Sequence, residues 1–142
     1  MGESKLKHLT PTEAWQLQQG NPRAVLVDIR STPEVLFVGH PRGSVHIPWI
    51  DEPHWTVNPH FVTRVRELML GGILSGAGRE APPIILICRS GKRSVDAGFA
   101  LIEAGFSEVY NVLDGFEGDL DDNRHRNTTA GWRYEGLPWE QC

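Results

Sequence analysis

Three short runs constrain this chain more than anything else in it: Val25-Leu26-Val27-Asp28-Ile29, Ile84-Ile85-Leu86-Ile87 and Val109-Tyr110-Asn111-Val112. A strand with one wet face alternates apolar and polar side chains. These runs are largely apolar from end to end, so they need cover on both faces, as parallel strands do. Helical signals lie between them. Thr10-Pro11-Thr12-Glu13 combines a capping Thr, a proline at the first helical position and a Glu that closes a capping box, for a helix ending near Gly20. Asn58-Pro59 is a second start, followed by Phe61, Val62, Val65, Leu68 and Met69 on one helical face and ended by Gly71-Gly72. A third helix carries Ala97, Ala100, Leu101 and Ala104 on one face, with Gly105 as its C-terminal cap. Gly98 inside it costs about 1 kcal/mol relative to Ala, which predicts close packing there. Strands alternating with helices predict an α/β fold, a central parallel sheet with helices on both faces.

The remaining segments read as connections. Gly39 to Pro48 is a loop leading into a short strand, Ser44 to Ile47, and Ser75 to Pro83 is a glycine-rich loop closed by two prolines. A length of 142 residues suits one domain, spanning 1–142. Fourteen Lys plus Arg against eighteen Asp plus Glu leave a net charge of −4, which gives no case for nucleic acid or an anionic membrane. Two cysteines, Cys88 and Cys142, exclude a disulfide-stapled scaffold and four-cysteine zinc sites. No apolar run reaches the ~20 residues that span a bilayer. Met1 to Lys7 has no apolar core of a secretory signal, so the expected location is the cytoplasm.

The segment that carries chemistry is Ile84 to Ser94, IILICRSGKRS. A buried strand ends in Cys88, polar and glycine residues follow, and a helix begins. Ligand sites of parallel sheets lie beyond the carboxyl ends of the strands. A helix N-terminus presents unpaired amides and partial positive charge to anions. Together with Arg89, Lys92 and Arg93, that end favours Cys88 as a nucleophilic thiolate. Gly91 allows a tight loop whose amides turn inward. A lone cysteine at a strand end is more often a small core hydrophobe. Here the cysteine is joined to a glycine loop, three cations and a helix start, and this combination favours a functional site.

These residues resemble the rhodanese-like sulfurtransferases. CRSGKRS at 88–94 looks like their active-site loop, a cysteine with four residues before an Arg. VLVDIR at 25–30, GHPRGSVHIP at 39–48 and VYNVLDGFEG at 109–118 resemble three further family segments in the family's order, and the likeness spans about residues 6 to 140. The resemblance implies a rhodanese-like fold and a persulfide relay. Cys88 would accept a sulfane sulfur from an anionic donor, thiosulfate or a persulfide, and pass it to a thiol or cyanide. Arg89, Ser90, Gly91, Lys92, Arg93 and Ser94 would surround the sulfur. The partners implied are a small-molecule donor and a thiol acceptor, an acceptor protein included; no metal or organic cofactor is needed. Basic loops in this family go with thiosulfate. Against that, Asp114, Glu117, Asp119, Asp121 and Asp122 follow the last strand and could pair with the cations.

Two other classes remain open. Protein tyrosine phosphatases and arsenate reductases place five residues between Cys and Arg, whereas four separate Cys88 from Arg93. The tighter loop suits one sulfur atom rather than a phosphoryl group. A binding or sensing module on the same fold is the third reading, though such modules usually lack the cysteine. Asp28 and Arg30 are expected to form a salt bridge that braces the site. His40, His46, His54 and His60 match no zinc spacing, and hydrogen bonding is expected of His40 and His46. Trp49, Trp55, Trp132 and Trp139 are expected to pack in the core or a lid, with the tail around Trp132 folding back over the sheet. For Cys142, the terminal residue, a frayed end is the expectation and a resolving thiol the alternative.

Overall fold

A computed structural model describes residues 5–74 and 82–141. In chain order the elements are β1 (Lys7–Leu9), α1 (Pro11–Gly20), β2 (Val25–Asp28), α2 (Thr32–Val38), β3 (His40–Pro41), β4 (Val45–His46), β5 (Ile50–Asp51), β6 (Thr56–Val57), α3 (Phe61–Leu74), β7 (Ile84–Ile87), α4 (Arg93–Glu103), β8 (Val109–Val112) and β9 (Trp139–Glu140). Five strands form a parallel sheet in the order β1-β8-β7-β2-β4. β3 pairs with β9 and β5 with β6 in two small antiparallel ladders. The α/β expectation therefore holds, with β7 as the central strand.

The two-period of the strands distributes their side chains into two cores. Ile84, Leu86 and Cys88 of the β7 line join Val27, Ile29, Val109, the α3 residues Phe61, Val65 and Met69, and Ala97 and Leu101 of α4. Ile85 and Ile87 face the other way, to Leu26, Val112, Ala14 of α1, Phe116 and Trp132, with Val38 of α2 packed alongside. Helices thus cover both faces, as largely apolar strands require.

The Thr10 capping box forms as read: the Glu13 amide donates to Thr10 Oγ1 and the Thr10 amide to Glu13 Oε1. Gly98 packs against Leu6, whose Cδ1 would stand 2.7 Å from a Cβ placed there. Three differences appear. α3 begins at Phe61, after Asn58 has capped a turn by accepting from the His60 amide. It also runs through Gly71-Gly72 to Leu74. Glycine propensity is a weak prior, and the docked face of Phe61, Val65 and Met69 outweighs it. The edge strand β1, the helix α2 and the two-residue strands β3, β5, β6 and β9 lacked an expectation. Only Val35 of α2 is buried, so the helix has no amphipathic stripe to read. Of the loop expected over 75–83, residues 75–81 lie outside the described residues, as does Cys142.

The tail folds back over the sheet. Trp132 is fully buried, meets Trp15 edge-on at 6.0 Å and donates from Nε1 to the Pro138 carbonyl at 2.8 Å. Trp49 packs edge-on against Phe61, whereas Trp55 is half exposed and belongs to no core. Trp132→Ala should cost about 3–5 kcal/mol in urea unfolding, because it leaves a large cavity and removes one of the two hydrogen bonds to the Pro138 carbonyl, which keeps that from the Arg42 amide. A loss below about 1 kcal/mol would show that the tail is not part of the cooperative core.

Candidate functional site

Cys88 stands one residue beyond β7, with 1% of its surface exposed. The loop turns back so that the Gly91 amide donates to Cys88 Sγ at 3.1 Å and the Ser94 amide at 3.4 Å. The Ser94 hydroxyl lies 3.2 Å from the same sulfur. Gly91 has φ +92°, and a Cβ there would stand 2.9 Å from the Asp114 amide nitrogen. Glycine is required on both counts. The sulfur thus rests at the start of α4, where helix amides have no intrahelical partner.

The loop is held from behind by the turn after β8. Phe116 donates its amide to the Cys88 carbonyl at 2.8 Å, and the Glu117 and Gly118 amides donate to the Arg89 carbonyl at 2.9 and 3.2 Å. This approach is so close that a Cβ on Gly115 would lie 2.4 Å from the Cys88 oxygen. Asp28 and Arg30 form the expected salt bridge, with both side chains fully buried and Nη2 to Oδ2 at 2.7 Å. Arg30 also donates to the Gly39 carbonyl at 2.6 Å and stacks 4.4 Å over the Phe116 ring. The brace therefore reaches Cys88 through Phe116 rather than directly. His46 Nε2 is 2.7 Å from the Arg30 carbonyl and His40 Nδ1 is 3.2 Å from the Pro41 carbonyl, so both histidines hydrogen-bond as expected.

The three cations have different surroundings. Arg93 makes a bidentate pair with Glu34 of α2, at 2.8 and 2.9 Å. That acid lies outside the stretch after β8 where partners were expected. Lys92 is 3.9 Å from Asp119, with side chains 82% and 62% exposed, an arrangement worth little. Arg89 is exposed and has no acidic partner among the described residues. Glu34 is the residue that sequence reasoning missed. The signal was present: Ser31-Thr32-Pro33-Glu34 is a capping box with proline in the first turn, and Glu34 Oε1 accepts from the Ser31 amide and hydroxyl. Asn111 was also missed; its amide accepts the Ser94 hydroxyl hydrogen and donates to the Gly91 carbonyl at 3.4 Å.

Burial alone would raise the Glu34 carboxyl, but the hydrogen bonds and charge of Arg93, with Ser31, hold it at about 2. The Glu34 bonds and charge in turn raise Arg93 above its ordinary value, against the effect of its own burial.

The pattern of the Rhodanese-like domain family matches residues 10–121. The chain belongs to that family. It is 41% identical to Rv0390 from M. tuberculosis, whose crystal structure superposes with a TM-score of 0.82 over 98% of this chain and 100% of that one. It is 30% identical to the thiosulfate sulfurtransferase GlpE of Haemophilus influenzae, over 79% of this chain and 86% of that protein. A protein of Rhodopseudomonas palustris described as a possible tyrosine phosphatase, RPA3614, shares the fold at 24% identity and a TM-score of 0.59, over 95% of this chain and 85% of that one. At that identity the likeness concerns the fold alone.

The Glu34–Arg93 pair makes stability pH-dependent. A depressed carboxyl stabilises the fold above its ordinary value of 4.5, and the contribution fades as pH falls toward about 2. Glu34→Gln should therefore be less stable than the native chain by about 2 kcal/mol at pH 7. The gap should close on acidification between those two values. Urea titrations at several pH values test this; a gap that stays constant down to pH ~2.5 would remove the carboxylate from the account.

Proposed function

We propose that this protein is a sulfurtransferase that carries a sulfane sulfur on Cys88. The observation that carries this reading is the sulfur of Cys88, poised at the end of the central strand and accepting two loop amides at the start of α4. The thiolate attacks the outer sulfur of thiosulfate. The sulfur–sulfur bond of the donor breaks, and sulfite leaves with the bonding electrons. The enzyme is left as Cys88–S–S⁻. An acceptor thiolate, or cyanide, then attacks the outer sulfur, and Cys88 departs as the thiolate. Inward amides oppose the negative charge at each stage.

Thiosulfate or another anionic persulfide is the donor class that fits the exposed cations Arg89 and Lys92 at the loop. The thiosulfate sulfurtransferase of H. influenzae, at 30% identity, supports the same class. The acceptor is a small thiol or the thiol of an acceptor protein. We take the compartment to be the cytoplasm, where a free thiol such as Cys88 persists. After thiosulfate treatment, intact-mass spectrometry should record a gain of one sulfur atom on the native chain and on Cys142→Ser. Cys88→Ser should gain none and should lose cyanide-dependent turnover. Undiminished turnover by the Cys88 variant would end this assignment.

Phosphatase chemistry is disfavoured by the spacing of four residues between Cys88 and Arg93. It is disfavoured also by the engagement of Arg93 with Glu34, since the phosphatase reading needs that arginine on the phosphoryl oxygens. The native protein should leave aryl phosphates unhydrolysed. Inserting one Gly after Lys92 should slow sulfur transfer at least tenfold, which requires a loss of only ~1.4 kcal/mol of transition-state stabilisation. Full transfer by a correctly folded insertion variant would show that loop length does not select sulfur.

A further inference from the structure

Asn111 is a polar residue on the face of β8 covered by α4, and it is 1% exposed. A polar group so buried must be satisfied, and each of its bonds carries information. Its Nδ2 donates to the Gly91 carbonyl at 3.4 Å and lies 3.2 Å from Nδ1 of His8, the residue opposite it on β1. A backbone carbonyl only accepts, so the NH₂ end of the amide must face Gly91. Oδ1 is thereby turned to Ser94, whose hydroxyl donates to it. A hydroxyl has one hydrogen. With that hydrogen on Asn111, Ser94 Oγ presents a lone pair to Cys88 Sγ, 3.2 Å away.

We propose that Asn111 is a positioning residue for sulfur transfer, acting on Cys88 through Ser94 and Gly91. These are the two residues whose amides meet the sulfur, and Asn111 grips both, one by its hydroxyl and one by its carbonyl. The same grip gives the Ser94 hydrogen two destinations. It rests on Asn111 Oδ1 while Cys88 is a thiol or the inner, uncharged sulfur of a persulfide. It turns to Sγ when Cys88 leaves as the thiolate during discharge of the persulfide. No bond to the hydroxyl breaks in this step; the hydrogen bond moves with the charge. Asn111 itself touches neither donor nor acceptor, so it governs turnover rather than binding.

This inference rests on the sulfurtransferase reading, and the experiment separates the two. The native chain is loaded with thiosulfate, its mass is recorded, and single-turnover discharge to cyanide is followed. The same is done for Asn111→Ala, Ser94→Ala and the double variant, each with its thermal melt. A native chain that gains no sulfur overturns the sulfurtransferase reading itself. If it does gain sulfur, Asn111→Ala is expected to discharge at least tenfold more slowly, with the thiosulfate concentration that half-saturates the loading step unchanged. The double variant is expected to be no slower than the slower single variant, as for residues acting as one unit. Equal multiplicative losses in the two backgrounds, or a native discharge rate in Asn111→Ala, would overturn the proposal. Should Asn111→Ala fail to fold, Asn111→Asp replaces it. Its carboxylate can hold the Ser94 hydrogen but has no N–H for the Gly91 carbonyl, so discharge is expected to slow at least tenfold with half-saturation of the loading step unchanged. Native discharge in that variant likewise overturns the proposal.

Discussion

Everything about this site depends on three backbone amides. Those of Phe116, Glu117 and Gly118 donate to the carbonyls of Cys88 and Arg89, directly behind the loop. Two polypeptide backbones can approach this closely only where a side chain is absent, and Gly115 supplies that absence. With its carbonyls secured on one side, the loop is free to turn its Gly91 and Ser94 amides toward the sulfur on the other. Buried backbone groups are costly to leave unpaired, so the arrangement satisfies the loop and orients it at once.

The charges around the loop are arranged by burial. Asp28 and Arg30 are fully buried and engage one another, the Gly39 carbonyl and the Phe116 ring. Glu34 and Arg93 are half-buried and tie α2 to the start of α4. Removing one partner of such a pair strands the other charge, which is where most of its measurable cost arises. Lys92 and Arg89 stay in solvent. A gradient of this kind, structural pairs within and solvated cations outside, follows from the energetic penalty on unpaired buried charge.

α2 shows how a functional residue escapes notice in a sequence. Its apolar residues Val35, Leu36, Phe37 and Val38 lie consecutively, and Leu36 and Phe37 are exposed, so no periodic stripe announces a helix. The only local sign is the Ser31–Glu34 capping box. The second role of Glu34, the pair with Arg93, joins residues 59 positions apart, and no local rule anticipates it. α3 errs in the opposite direction. Gly71-Gly72 is a legitimate local stop, yet the docked face keeps the helix going.

Strand burial, the alternation of strands and helices, the Cys88 loop and the Asp28–Arg30 pair were legible because each is a local pattern. Apolar runs demand cover on both faces, and a glycine loop between strand and helix ends at amides that have no intrahelical partner. The partner of Arg93, the grip of Asn111 on Ser94 and Gly91, and the brace behind Cys88 were decided by tertiary structure alone. Each joins segments distant in sequence. Their pairing follows from the parallel register of β7 with β2 and β8, which brings the carboxyl ends of three strands to one edge. A single sequence specifies which side chains can hydrogen-bond, but the sheet order determines which of them meet.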